Sequence, residues 1–293
     1  MTSARTLLKA WQLYAKKQFG QHFLNELETG RKLAALSGIA EKDRVLEIGA
    51  GLGALTIPLA ERANRVIAVE RDPQLVGLLK TELRAADVDN VDILVGDILS
   101  MNLSKMARAL GGRITVAGNL PYNISSQVLI RLVKARRFVD RAVLMFQKEL
   151  ADRILSPPGR KTYGRLTVMV NYCAEVRKLH DLKSTAFFPR PKIDSSVIEI
   201  RFRPPSPAAA VDEKAFFGLI RAAFGQRRKM LRNALAAGGF DPEILSRAFG
   251  ETGISGDRRA ETLSVEEFVR LSNRLVDLCA QASSYSRKSI PAG

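Results

Sequence analysis

Arg44-Val45-Leu46-Glu47-Ile48-Gly49-Ala50-Gly51-Leu52-Gly53-Ala54 decides the fold of this 293-residue chain. A short β-rich run breaks off into glycines and then into helical spacing, so the stretch predicts a buried strand, a tight turn and the start of a helix. Glycine is required where a backbone turns sharply and a ligand must come close. The spacing Gly49, Gly51, Ala54 also fits a dinucleotide-binding turn, and Glu70 stands about 20 residues on, where a ribose-binding acid belongs. The glycines alone therefore leave the ligand open.

Working outward, short β-rich runs alternate with helical patterns through two thirds of the chain. Arg44 to Ile48, Arg65 to Val69, Val91 to Val95, Ile114 to Ala117 and Ala142 to Phe146 are strand candidates, and Pro73 to Ala86 and Ser125 to Ala135 show helical spacing. Such alternation predicts an α/β, Rossmann-like fold whose mostly parallel sheet carries helices on both faces. Val197 to Phe202 closes the pattern. A first domain is expected over 1–203, with a basic arm at 1–25, and a Pro/Ala linker over 204–211. Phe216, Ile220, Phe224, Leu231 and Leu235, then Val265, Phe268, Leu271, Leu275 and Leu278, recur at helical intervals. They predict a small all-α domain at 212–282, followed by a disordered tail at 283–293.

The composition narrows the function. A net charge of +16, from 46 Lys and Arg against 30 Asp and Glu, favours a polyanionic partner, since basic side chains on phosphates release condensed counterions. No apolar run approaches a membrane span. Cys173 and Cys279 stand far apart, and His22 and His180 are too few for a metal cluster, so neither a disulfide framework nor a metal is expected. A reducing, cytoplasmic setting follows. The arm carries Arg5, Lys9, Lys16 and Lys17 without an acid, which suits an organelle transit segment or a nucleic-acid contact.

Two acids and an amide refine the ligand. Glu47 precedes the first glycine, where a carboxylate could order the cationic end of a cofactor; Asp97, in Gly96-Asp97 after the third strand, could accept from an adenine amine. Asn119-Leu120-Pro121-Tyr122 ends the fourth strand. Ligands of open α/β sheets bind outside the carboxyl ends of the strands, where all these groups fall. S-adenosylmethionine, with its ribose, adenine and sulfonium and no pyrophosphate, fits them better than NAD. An amide, a rigid proline and an aromatic face at a strand end suit a grip on a planar base by its amino group.

At these residues the sequence resembles the ribosomal RNA adenine dimethyltransferase family, from Lys17 to about Leu275. The resemblance rests on Phe19-Gly20-Gln21-His22-Phe23-Leu24, Val45 to Gly53, Val69-Glu70, Gly96-Asp97 and Gly118 to Ser125. It continues through Gln147-Lys148-Glu149, Tyr163 to Leu166, Phe187 to Ser195 and Phe224 to Lys229. It implies a class I methyltransferase with a seven-stranded sheet, acting as a monomer on two adjacent adenines near the 3′ end of 16S RNA in the small ribosomal subunit, late in its biogenesis. It implies donor contacts at His22, Leu24, Gly49, Glu70, Asp97 and Asn119, with Gly51 in the same turn; His22 departs from the Asn common at its position. A large-subunit methylase of the resistance type and a mainly non-catalytic assembly factor are the alternatives.

The residues supply a chemistry for that substrate. Asn119 and the Leu120 carbonyl would accept from the adenine amine, Pro121 would fix their loop, and Tyr122 and Phe187 would stack on the two faces of the base. No acid occurs from Lys214 to Phe240, whereas Arg221, Arg227, Arg228, Lys229 and Arg232 gather there; Arg221, Arg228 and Arg232 are expected on one helix face, against phosphates.

Overall fold

The computed structural model describes residues 3–204 and 209–288. By its contacts the chain divides into two compact units, Met1–Asp152 with Ala174–Arg203, and Arg153–Cys173 with Pro204–Gly293.

In the first unit α1 (Ala4–Ala10), β1 (Phe23–Leu24) and α2 (Leu27–Leu36) precede the main alternation. That alternation runs β2 (Arg44–Ile48), α3 (Thr56–Ala60), β3 (Arg65–Glu70), α4 (Pro73–Ala85), β4 (Val91–Val95), α5 (Leu103–Ala109), β5 (Ile114–Asn119), α6 (Ser125–Lys134) and β6 (Val139–Gln147). After it come α7 (Lys148–Ile154), α8 (Arg165–Cys173), β7 (Ala174–Leu182), β8 (Phe187–Phe188) and β9 (Ser195–Phe202). The seven-stranded sheet has the order β4-β3-β2-β5-β6-β9-β7. Strands β2 to β6 pair in parallel, and β9 runs antiparallel to both β6 and β7.

The order matters for function. The chain builds β2, β3 and β4 outward on one side, then crosses back to lay β5 and β6 on the other. The reversal lies between β2 and β5, the place where an open parallel sheet leaves a crevice at its carboxyl edge. The central strands are apolar along their length because helices cover both faces: Val45 and Leu46, Val66 and Ala68, and Val116 are all buried. At Gly118 a Cβ would stand 2.5 Å from the Ile48 carbonyl, so only glycine lets β5 approach the end of β2. Asp72 caps α4, accepting from Gln74 N at 3.1 Å, with Pro73 at the first helical position.

The expected strands are present, and the seventh is Ala174–Leu182, which no apolar run announced. Its sequence, Ala-Glu-Val-Arg-Lys-Leu-His-Asp-Leu, carries exposed charge at Glu175, Arg177, Lys178 and Asp181, as an edge strand does. A separate two-stranded ladder pairs Phe23 with Phe188 and Leu24 with Phe187.

The second unit contains α8 and four later helices, α9 (Glu213–Ala223), α10 (Leu231–Ala237), α11 (Pro242–Thr252) and α12 (Val265–Lys288). Phe216, Leu219, Leu231, Leu235, Leu245, Phe268, Leu271 and Leu275 form its core. Tyr163 and Val168 are buried in the same cluster. Residues 153–173 thus belong with the helices rather than with the sheet, to which the linear reading of 1–203 assigned them. Helix α12 also continues through Lys288, into the stretch expected to be a tail. The remainder of that tail, 289–293, and linker residues 205–208 lie outside the described residues. Among the described residues no helix is long and apolar enough to cross a membrane, and no cluster of His, Cys, Asp or Glu could hold a metal.

Candidate active site

The turn after β2 is fixed from the end of β3. Gly49 N and Ala50 N both donate to the Val69 carbonyl, at 2.9 and 3.1 Å. Gly51, with φ of 55°, turns its N–H onto Glu70 Oε2 at 2.8 Å, while Glu70 Oε1 accepts from Asp72 N at 2.8 Å. One buried carboxylate thereby joins two adjacent loops. Burial pushes the Glu70 carboxyl above the usual range, and the N–H groups of Asp72 and Gly51 oppose that shift. On the next strand end, Asp97 Oδ1 accepts from Leu99 N at 2.9 Å, and Oδ2 lies 3.4 Å from Arg71 Nη1.

Residues 16–22 form a strap bound onto the loop after β3. Lys16 Nζ pairs with Asp72 Oδ1 at 2.9 Å, Gln21 Nε2 donates to Asp72 Oδ2 at 3.3 Å, and the Arg71 guanidinium lies 5.0 Å from the Phe19 ring centre. Asp72 is 1% exposed, so its pairing with Lys16 is partly shielded from solvent. The strap, the glycine turn and the segment after β5 together line one open cleft at the carboxyl edge of the sheet.

Beyond Asn119, the chain turns through Leu120 and Pro121, with Ser125 Oγ donating to the Pro121 carbonyl at 2.9 Å. Asn119 Nδ2 donates to the His22 carbonyl at 2.7 Å. With the amine end committed, Oδ1 is the end that remains for a ligand donor. The His22 ring stacks on Tyr122, centroids 5.3 Å apart and planes at 28°, and Tyr122 Oη meets Ser195 Oγ at 2.9 Å. Burial raises the Tyr122 hydroxyl above its ordinary pKa, opposed by the Ser195 bond, so it stays a neutral phenol.

His22, Gly49, Gly51, Glu70, Asp97, Asn119, Leu120, Pro121 and Tyr122 all line this cleft. Leu24 and Phe187 do not. Their backbones pair in the β1–β8 ladder, and both side chains are packed in the core, 4% and 3% exposed. Phe187, expected to stack on one face of the base, is packed in the core, and the ring that stacks on Tyr122 is His22. Glu47 likewise turns away from the cleft. It is fully buried in β2, and among the described residues neither its carboxylate oxygens nor Thr56 Oγ1 has a hydrogen-bond partner. Desolvation pushes the Glu47 carboxyl up to about 8, and the Glu70 charge adds to the shift. Sequence reasoning gave no role to Arg71 and Ser195, whose polar partners lie far away in the chain.

The basic cluster is also rearranged. Helix α9 ends at Ala223, the chain turns through residues 224–229, and Arg232 belongs to α10, so Arg221, Arg228 and Arg232 share no helix face. The helix closes on Phe224, after a last turn in which Ile220 and Ala223 are buried and Arg221 is exposed. Arg227 lies 3.6 Å from Glu261 and Arg232 2.7 Å from Asp257. Arg221, Arg228 and Lys229 are exposed.

A glycine turn, an acid ending the next strand and a cleft at the switch point of a mostly parallel sheet define a Rossmann-like ligand-binding fold. The chain belongs to the ribosomal RNA adenine dimethylase family, which it matches over residues 12–277. It is 48% identical to the ribosomal RNA small subunit methyltransferase A of Desulforapulum autotrophicum over 94% of this chain and 97% of that one. Against the protein of the same name from Magnetococcus marinus, identity is 41%, over 92% and 95%. The fold is also that of a dimethyladenosine transferase from Plasmodium falciparum, with a TM-score of 0.75 at 24% identity over 89% and 98% of the two chains. The 23S rRNA methyltransferase ErmE gives 0.65 at 24%, over 87% and 99%.

Proposed function

We propose that the protein transfers methyl groups from S-adenosylmethionine to the exocyclic amines of two adjacent adenines near the 3′ end of 16S RNA, within the small ribosomal subunit. The observation that carries this reading is the Asn119 side chain, held by the His22 carbonyl so that Oδ1 is left to accept at the end of β5. The relatives' names place their methylation on small-subunit ribosomal RNA. A cytoplasmic monomer acting late in subunit biogenesis completes the proposal.

The residues present fit the donor. Gly49 and Gly51 leave bare backbone at the cleft, the Glu70 carboxylate is in reach of a ribose, and Asp97 Oδ2 is only loosely engaged by Arg71. Bound there, S-adenosylmethionine would supply an electrophilic methyl on a sulfonium. Adenine's amino nitrogen is a weak nucleophile because its lone pair is delocalised into the ring. Acceptance of its N–H groups by Asn119 Oδ1 and the Leu120 carbonyl draws the nitrogen toward tetrahedral geometry and directs the lone pair at the methyl. The alkylated nitrogen is acidic, so no strong base is needed. Tyr122 holds the face of the extruded base. After one transfer a single N–H remains, so the second uses one acceptor fewer. Arg221, Arg228 and Lys229 are suited to phosphate contacts.

The test is incubation with labelled methyl donor and immature small subunits from a methylase-deficient strain, with the modified bases then mapped. Dimethyladenine in the small-subunit RNA is expected. Label at other bases of the small-subunit RNA, or bound donor without transfer, refutes the proposal.

A further inference from the structure

His22 touches three parts of the site at once. Its carbonyl accepts from Asn119 Nδ2 at 2.7 Å. Its Nδ1 lies 2.7 Å from the Pro189 carbonyl. A carbonyl can only accept, so Nδ1 carries the proton and the ring is held in one orientation. The ring face then rests on Tyr122. His22 stands 97 positions from Asn119 and 167 from Pro189, so these bonds join segments that only the fold brings together.

We propose that His22 is a positioning residue for the acceptor base: the bond from Nδ1–H to Pro189 anchors its backbone, and the anchored carbonyl sets the orientation of the Asn119 amide. The inference rests on the function proposed above and deepens it. An amide side chain is nearly symmetric in shape, and rotation by half a turn exchanges an acceptor for a donor. A flipped Asn119 presents N–H groups to an amine that needs acceptors, which repels the substrate instead of aligning it. The His22 carbonyl favours one of the two orientations, because the oxygen of a flipped amide would face another oxygen. The selection holds only while that carbonyl stays in place, which is the work of the Pro189 bond.

The inference separates His22 from a simple donor contact. Asn at this position places Nδ2 where Nδ1 of the imidazole stands, two bonds from Cβ, and so keeps the anchor while losing the ring. Phe keeps a ring against Tyr122 and loses the anchor. The experiment compares His22→Asn, His22→Phe and His22→Ala with the parent protein at saturating methyl donor. Donor affinity is measured separately by calorimetry, and folding is checked by thermal melting. We expect His22→Asn to retain transfer close to the parent rate. His22→Phe and His22→Ala should lose kcat by roughly 10- to 100-fold, with donor affinity unchanged within about threefold. Hydrogen exchange of the Asn119 side-chain amide gives a readout independent of transfer: slow in the parent and His22→Asn, fast in His22→Phe and His22→Ala. Retained transfer in His22→Phe with loss in His22→Asn overturns the anchor. A weakened donor Kd with an unchanged kcat in His22→Ala overturns it in favour of a donor contact. A parent protein inactive on small subunits defeats the proposed substrate instead, and the exchange measurement then decides the anchor by itself.

Discussion

The two walls of the cleft are held by chain segments at very different distances. Gly51 is fixed by Glu70, 19 residues on and at the end of the neighbouring parallel strand. Asn119 and Tyr122 are fixed by His22 and Ser195, 97 and 73 positions away. The glycine wall is a property of one strand–turn–helix–strand unit. The acceptor wall exists only when the N-terminal strap and the start of β9 have both come into place. Donor binding and acceptor chemistry should therefore respond separately to substitution, and each change below can break that separation or sharpen it.

Asn119→Ala carries the largest effect. Loss of a directed acceptor at the reacting centre should cut kcat roughly 100- to 1000-fold, while donor affinity measured by calorimetry stays near the parent value. A comparable loss of donor affinity would merge the two walls into one site.

Glu47→Gln tests what lies behind the glycine wall. The Glu47 carboxyl titrates near 4.5 in the unfolded chain and at about 8 in the folded one. Between those values the unfolded state has released a proton that the folded state keeps, so stability falls as pH rises, by up to about 1.4 kcal/mol per pH unit, and levels off above about 8. Glu70, whose carboxyl is also raised, adds a fall of the same sign. Glu47→Gln removes the Glu47 share, so denaturant titrations at pH 5 and pH 7.5 should differ less in the variant than in the parent. An equal fall in both would show that Glu47 is ionised in the folded protein.

Gly118→Ala strikes the seam between the walls. Its Cβ would meet the Ile48 carbonyl at 2.5 Å, backbone against side chain, with no flexible neighbour to yield. A loss of about 1–3 kcal/mol is expected, together with weaker donor binding and slower transfer. This substitution should couple the two functions that Asn119→Ala separates. Tyr122→Phe has the smallest effect. It removes the bond to Ser195, worth about 0.5–1.5 kcal/mol, and keeps the aromatic face. The melting temperature should drop slightly while transfer continues; a large loss of transfer would give the phenol a chemical role.

Much of the fold was legible because burial on both faces writes continuous apolar runs. Val45-Leu46-Glu47-Ile48 and Ile114 to Ala117 could be placed as central strands, and the glycines between them as the ligand turn. Ala174–Leu182 could not, since an edge strand with exposed charges has no such signature. Helix α9 ended at Ala223 and a new helix began at Leu231, so Arg221, Arg228 and Arg232, expected on one helix face, separated. Leu24 and Phe187 were chosen for their place in a motif, yet a motif does not state which way a side chain turns. The β1–β8 ladder turned both into the core.

The sequence by itself determined the alternating strands and helices, the glycine turn, the acids at the strand ends and the Asn-Leu-Pro-Tyr segment, because each depends on residue types and spacings within a few positions. Only the tertiary structure decided which groups face the cleft and how they are oriented. It buried Glu47 away from the cleft, packed Phe187 into the core, stacked His22 on Tyr122, and left Asn119 with one oxygen to offer. The physical reason is that hydrogen bonds such as Asn119 to His22 and His22 to Pro189 join segments about a hundred or more residues apart. Such contacts form only after the core has closed, and no local pattern encodes them.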